Sequence, residues 1–312
     1  MPVLKETGLE LATIGRAFDA RFFPRFNTGG LPPWFPMVCW PNLESDQADE
    51  TYAWLGVAPA MLRFSREIPI TKPGSEKFTI VNENFGIGIE ATYEHLRRQK
   101  FGMFDGLVAQ MAGRAQIWPL REFYAELVGS SLGYDGKALF ASDHPVGTGT
   151  SSNTINFNVG TTTDPTASEL VGAATEAIRV IRSQVDESGE PIAEAVTQFK
   201  VFVPPTFMRA AMEAFGAPVI ASGSTAISNV LVMGGTGLQI TFEASPRLSA
   251  WTTKLAVLGM GLGVAPFIYQ QEKPVGTAII DDEIHRRVLY TVDAAGAVKP
   301  GYWQLACLVT LT

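Results

Sequence analysis

The sequence predicts an α+β protein, and three observations carry that expectation. A stripe of apolar residues at spacings near three and four runs from about Glu94 to Val128, through Leu96, Met103, Phe104, Leu107, Met111, Ala115, Trp118, Phe123 and Leu127, the signature of an amphipathic helix. It follows directly on an extended, Gly/Pro-marked segment from about Arg66 to Ala91. Beyond it, strand-like runs and helices succeed one another without the regular alternation of a barrel or a doubly wound sheet.

Taken in order, Glu10 to Phe23 has a weak helical pattern through Leu11, Ile14, Phe18 and Phe22. Thr28 to Pro41 holds Gly29, Gly30 and four prolines and is expected to be an extended arm or loop. Thr51–Leu55 and Ala60–Phe64 read as short strands or helical turns. A strand-like stretch begins at Ile68, breaks at Lys72-Pro73-Gly74-Ser75, where Pro73-Gly74 sets a turn, and resumes from Lys77 to Val81. Asn82, Asn84, Gly86 and Gly88 suggest a second bend before Ile89. A single helix over 94–128 would be about 50 Å long at 1.5 Å per residue, far beyond the three or four turns usual in globular proteins. Its interior holds Gly102, Gly106 and Gly113, each costing up to ~1 kcal/mol against alanine. Pro119 should kink it near Ala115 or split it in two. Such a rod needs neighbours to hold it. Gly102 and Gly106 either mark ordinary bends or leave room for another backbone.

Tyr134–Lys137 and Ser142–Gly147 read as turns around a strand at Ala138–Ala141, and Thr154–Val159 alternates as a short strand. Asp164-Pro165 is a helix start, a capping residue followed by proline at the first helical position, and the helix should reach about Gln184. Phe199–Val203 is a strand ended by Pro204-Pro205. Thr206–Phe215 is a short helix with Phe207, Ala210, Ala211 and Ala214 inward. Gly237–Glu243 is a further strand, and Thr252–Leu262 is a strand or a buried helix. Arg287–Val292 and Trp303–Thr310 are expected to close the chain as an antiparallel pair around an Asp293–Gly301 turn.

Composition narrows the function classes. The chain has 312 residues, enough for a sizeable core or two domains. Only 18% are charged, below the roughly 25% of an ordinary soluble domain, which suits a protein that hides surface against partners or a large, well-buried enzyme domain. The net charge of −7 has no long run of either sign, so a basic stripe for specific nucleic-acid binding is absent. Arg97, Arg98 and Lys100 are the densest basic spot and suit subunit contacts or a solvated face. Cys39 and Cys307 are the only cysteines, too few for a metal cluster or a disulfide framework, and they fit a reducing compartment. The N-terminus lacks a signal-peptide core, and Leu255–Ile268, interrupted by Pro266, is too short to span a membrane.

Candidate chemistry is sparse. His95, His144 and His285 show no two-ligand spacing, so no metal and no cofactor is expected. Asp143-His144, with Ser142 beside it, is the nearest approach to a catalytic pair. Adjacent turn residues rarely converge on one reacting atom, and a turn in which the aspartate caps backbone donors is expected instead. Replacing His144 by alanine should then leave assembly largely intact. Gly234–Gly237 and Gly259–Gly263 lack the lysine of a phosphate loop. Asp281-Asp282-Glu283 could hold a divalent cation but reads first as an exposed acidic loop. Lys72 and Lys77, with Asn82 and Asn84 nearby, could in principle form isopeptide cross-links, though such residues are common on surfaces.

At several places the sequence resembles the major head subunits of Mu-like bacteriophages and prophages. The resemblance rests on Glu50-Thr-Tyr-Ala-Trp-Leu-Gly56, Phe85–Leu96, Leu139-Phe-Ala-Ser-Asp-His-Pro-Val-Gly147 and Val201-Phe-Val-Pro-Pro205. Ser245-Pro-Arg-Leu248, Ala265-Pro-Phe-Ile-Tyr-Gln270 and Gly301-Tyr-Trp-Gln-Leu-Ala306 continue it in family order to the end of the chain. It implies the tailed-phage major capsid fold: an N-terminal arm and start of the peripheral region (1–64), an extended loop (65–92), a peripheral domain (93–203) with a long spine helix (94–128), an axial domain (204–266) and a return to the peripheral domain (267–312).

The function the resemblance implies is structural and not enzymatic. Copies would assemble into hexamers and pentamers of an icosahedral shell enclosing double-stranded DNA without sequence-specific binding. The implied partners are a portal, a separately supplied scaffold/protease and, in some particles, a decoration protein, with assembly in the bacterial host cytoplasm, residence in the virion and no membrane. Contacts between subunits would fall on Lys72, Lys77, Phe78, Phe85, Arg97, Arg98 and Lys100. The alternatives are a cargo-enclosing, non-viral compartment of the same fold, then a hydrolase using Asp143 and His144, then a tail or baseplate component.

Overall fold

The structure, a computed structural model, describes residues 11–45, 47–53, 77–98, 101–186, 189–222, 225–229, 231, 237–261 and 264–312. In chain order its elements are α1 (Leu11–Thr28), α2 (Phe35–Val38), β1 (Cys39–Glu44), β2 (Asp49–Ala53), β3 (Lys77–Val81), β4 (Glu83–Thr92), α3 (Tyr93–Arg97), α4 (Asp105–Gln116), α5 (Trp118–Val128), β5 (His144–Val146), β6 (Gly149–Ser151) and β7 (Thr154–Phe157). They continue with α6 (Ala167–Ser183), β8 (Gln198–Val203), α7 (Met208–Gly216), β9 (Val219–Ser222), β10 (Thr225–Ser228), β11 (Gln239–Ala244), β12 (Lys254–Met260), β13 (Phe267–Asp282), β14 (Arg287–Pro300) and β15 (Ala306–Leu311).

The central sheet has five strands in the order β11-β8-β12-β15-β7. Because side chains alternate along a strand, each of the inner strands β8, β12 and β15 feeds two cores. Phe199, Val201 and Val203 of β8, Leu255 and Val257 of β12, and Cys307, Val309 and Leu311 of β15 meet Leu170, Ala173, Ala174, Ala177 and Ile181 of α6 and Ala211 and Ala214 of α7. Phe202, Ala256, Leu258 and Ala306 face the other way, against Trp34, Phe35, Phe123, Tyr124 and Leu127 of the α2 and α5 region. A sheet covered on both faces explains the continuous apolar run of β12. Helix α6 starts at a capping box: the Thr166 hydroxyl accepts from Glu169 N while the Glu169 carboxylate accepts from Thr166 N at 2.7 Å.

The second sheet, β1-β13-β14-β4, is dominated by the long β13–β14 hairpin. One face carries Val288, Tyr290 and Val292, covered by Ile14, Phe18 and Phe22 of α1 and Val108, Met111 and Ala112 of α4. Phe18 stacks on Tyr290 with ring centroids 4.9 Å apart.

Several expectations need correction. The helix expected over 94–128 is not one rod. Its described residues form α3, a 3₁₀ turn at Phe101–Phe104, α4 and α5, with a break at Ile117. Pro119 lies in the first turn of α5, where its missing donor costs nothing, so of the two expected outcomes, a kink or a split, the split is the one found. The expected arm at 28–41 contains helix α2 and the start of β1. Ala138–Ala141 forms no strand beyond a single bridge between Ala138 and Leu132. The final two strands do not pair. β14 runs through the expected Asp293–Gly301 turn and pairs with β13 and β4, whereas β15 lies between β12 and β7. The central sheet also draws strands from all three regions 93–203, 204–266 and 267–312. The Lys72–Ser75 turn and the Ala60–Phe64 element lie outside the described residues.

Candidate assembly surfaces

The root of the extended segment is built by β2 and β3, an antiparallel ribbon pairing Tyr52 with Phe78. Alternation points Phe78 and Ile80 into the core beside Ile268 and Ala297. A polar network around the buried Gln270 then fixes the ribbon to β13. Tyr52 donates its hydroxyl to Gln270 Oε1 at 2.7 Å, Gln270 Nε2 donates to Asn82 Oδ1 at 2.8 Å, and Asn82 Nδ2 donates to Gln47 O at 2.8 Å.

These contacts place the expected intersubunit residues. Phe78 is a correction: its side chain is buried in its own subunit. Lys77 is exposed on β3. Phe85 is half-buried and stacks on Trp118 at 4.5 Å. Arg98 is exposed and paired with Glu94. Lys72, Lys100 and the side chain of Arg97 lie outside the described part. Asn82 spends its amide inside the network, which removes it as a cross-link acceptor, while Asn84 is exposed.

The Asp143-His144 pair does not exist as a pair. Asp143 is exposed and bound to Lys137, which holds its carboxyl below the usual range. His144 is fully buried, its Nδ1 2.6 Å from Asp135 Oδ2 and its ring stacked on Trp303 at 4.0 Å. The true partner of His144 is nine residues upstream, and the unit ties the 129–153 loops to the segment before β15. The acidic run is likewise committed: Asp281 accepts from Tyr93, and Asp282 from Arg287 and His285. Both cysteines are buried; desolvation raises Cys39 well above an ordinary thiol and pushes Cys307 up to about 12. Among the described residues no group of His, Cys, Asp and Glu is placed to hold a metal ion.

Three surface features escaped the sequence expectations. A cleft of about 280 Å³ opens between β4, β14 and the α4–α5 junction, lined by Phe85 and Trp118 with Arg114 and Arg121. A pocket of about 360 Å³ lies beside edge strand β11, with Trp34, Met37 and Met260 as apolar walls and Gln198, Lys200 and Thr241 as polar lining. Lys200 is only 7% exposed, with Nζ 3.8 Å from Glu243 Oε2 and 5.7 Å from the centre of the Trp34 ring. Burial lowers its pKa against the opposing pull of Glu243. Finally, α7 and the start of β9 expose Met208 (46%), Met212 (53%) and Val219 (54%). The available signals were a lysine inside an apolar strand and two methionines one helical turn apart.

Residues 11–168 match the model of the family described as the Mu-like prophage major head subunit gpT. The chain belongs to that family. A head-subunit relative, the Mu-like prophage FluMu major head subunit of Haemophilus influenzae, is 32% identical over 108 residues, 34% of this chain. This chain spans 35% of that relative's length in the match. Solved structures extend the likeness at the level of fold. A chain of the bacteriophage JBD30 procapsid aligns with a TM-score of 0.54 and 17% identity, covering 96% of this chain and 74% of its own. A virus-like particle from Pyrococcus furiosus aligns with a TM-score of 0.54 and 9% identity, covering 94% and 98%. The α+β fold is therefore the one these particle-forming chains share with the head-subunit family.

Proposed function

We propose that this chain is the structural subunit of a phage head, self-assembling into hexamers and pentamers of an icosahedral shell that encloses double-stranded DNA. Membership of the head-subunit family over residues 11–168 carries the proposal. The fold likeness to a procapsid chain over 96% of this chain supports it. So do the exposed apolar side chains on α7 and β9, since shells are held by repeated burial of modest patches. Among the described residues no helix is long and apolar enough to cross a membrane.

In this proposal the arm covers 1–64, the extended loop 65–92 and the spine 94–128, the last as separate helical pieces. The axial unit is the five-stranded sheet with α6 and α7 rather than 204–266 alone, because one hydrogen-bonded sheet moves as one body. A portal, a separate scaffold/protease and decoration proteins are the expected partners, with assembly in the bacterial cytoplasm and residence in the virion. Lys77, Phe85 and Arg98 remain the proposed neighbour contacts among described residues, with Lys72, Arg97 and Lys100 beside them in sequence.

The test is electron microscopy of the chain expressed with its scaffold. Closed shells or five- and six-membered rings are expected. A stable monomer at high concentration in the presence of scaffold would count decisively against the proposal, and a co-purifying enzyme cargo in place of nucleic acid would point to a compartment instead.

A further inference from the structure

The Lys200 pocket and the α7 ridge lie on opposite faces of the central sheet, at the same edge. Helix α7 packs against α6 and edge strand β11 on one face. The pocket opens on the other face, between β8, β11 and the Trp34–Met37 segment. The ridge presents Met208, Met212 and Val219 with the exposed carboxylate of Glu213, which makes a loose 3.6 Å contact with Arg209. The pocket presents Trp34, Met37 and Met260 around the ammonium of Lys200. Each surface has an apolar part and an ion pair, Arg209 with Glu213 on the ridge and Lys200 with Glu243 at the pocket, so the two pairs can exchange partners across a contact.

We infer that the α7 ridge of one copy docks into the Lys200 pocket of the next, with Met212 against Trp34 and Met37 and Glu213 turned toward Lys200. Surfaces that are complementary but different make a head-to-tail contact, and a head-to-tail contact with a closing rotation generates a ring. Methionine suits the ridge because its unbranched thioether fills irregular gaps and favours aromatic neighbours. A desolvated lysine held 3.8 Å from its own carboxylate has donors to spare for a second one. This inference rests on the proposed shell function and names the contact within one ring.

Cross-linking tests it on the full chain. Met37 and Met212 are both exposed, so Met37→Cys and Met212→Cys in one chain should fold, and the natural cysteines are buried. After assembly with scaffold and mild oxidation by copper phenanthroline, a covalent ladder reaching five and six subunits is expected on denaturing gels, absent from either single variant. Glu213→Lys should lower the yield of particles by at least about tenfold. Intact shells without a ladder, or full particle yield from Glu213→Lys, would overturn the docking while leaving the shell function standing. No particles from the unsubstituted chain would overturn both.

Discussion

His144 is the residue at which sequence and structure part most usefully. Adjacent turn residues were not expected to converge, and Asp143 and His144 do not; what the sequence left unseen is the buried partner, Asp135. The earlier expectation for His144→Ala therefore changes. The substitution removes a ring stacked on Trp303 and leaves a buried carboxylate short of a partner, so a loss of about 2–4 kcal/mol in denaturant unfolding of the subunit is expected. Asp143→Ala, at an exposed pair, should leave the unfolding midpoint unchanged. Lys200 makes the opposite kind of statement. Because burial depresses its pKa, the folded state binds its proton less readily than the unfolded chain, and stability rises as pH climbs from the depressed value toward 10.5. Lys200→Met should remove that penalty and raise the subunit's melting temperature while weakening assembly. A destabilised subunit with normal assembly would refute the role given to this lysine. The apolar strand around Lys200 was legible in sequence; what its odd member faces was not, because Trp34 and Glu243 are 166 residues before and 43 after it only in chain distance, and the fold brings them together.

At the scale of elements, periodicity located most helices and strands because burial is one-sided there. Most of the Leu96–Leu127 stripe is buried, but Leu107 is exposed, and the pieces turn at Ile117 because Pro119 begins a new helix. Helix α6 begins two residues later than Asp164-Pro165 suggested, since Thr166 and Glu169 form the stronger cap. Thr166→Ala should cost about 1 kcal/mol in thermal or chemical unfolding. Burial raises the Glu169 pKa, yet hydrogen bonds from Gly160 and Thr166 outweigh it and hold the carboxyl below 4.5. Its contribution is thus fully present above about pH 4.5 and is lost as pH falls through the depressed value. Gly113 separates local from collective stability. A methyl group there meets nothing within 4 Å in the subunit, so Gly113→Ala should stabilise the isolated chain by up to ~1 kcal/mol. Fewer particles from that stabler chain would mean the helix surface is packed by a neighbour. β13 escaped the sequence analysis because Gln270–Pro274 breaks the alternation and the strand is bulged between Gln271 and Gly276.

At the scale of the molecule, strand pairing is where local signals stop. Ala294, Ala295, Gly296 and Ala297 looked like a turn, but they continue β14, and at Gly296 the strand passes close to the Gln270 carbonyl and Trp118. A methyl group on Gly296 would overlap the Gln270 carbonyl oxygen and approach the Trp118 ring to 3.0 Å. Gly296→Ala should therefore destabilise the subunit by about 1–3 kcal/mol, read by chemical denaturation. A silent substitution would mean that β13 and β14 can separate without cost. The placement of β15 carries a consequence in time. It lies between β12 and β7, pairing Leu308 with Thr154 and Val257 with Cys307. A nascent chain therefore exposes β7 without a partner while roughly 150 further residues are translated, about 8–30 s at 5–20 residues per second. Until the ribosome has released that stretch, the two-sided sheet has a gap in its middle. A chain cut before β15 is therefore expected to lose the pairing on both of its sides, with β12 and with β7.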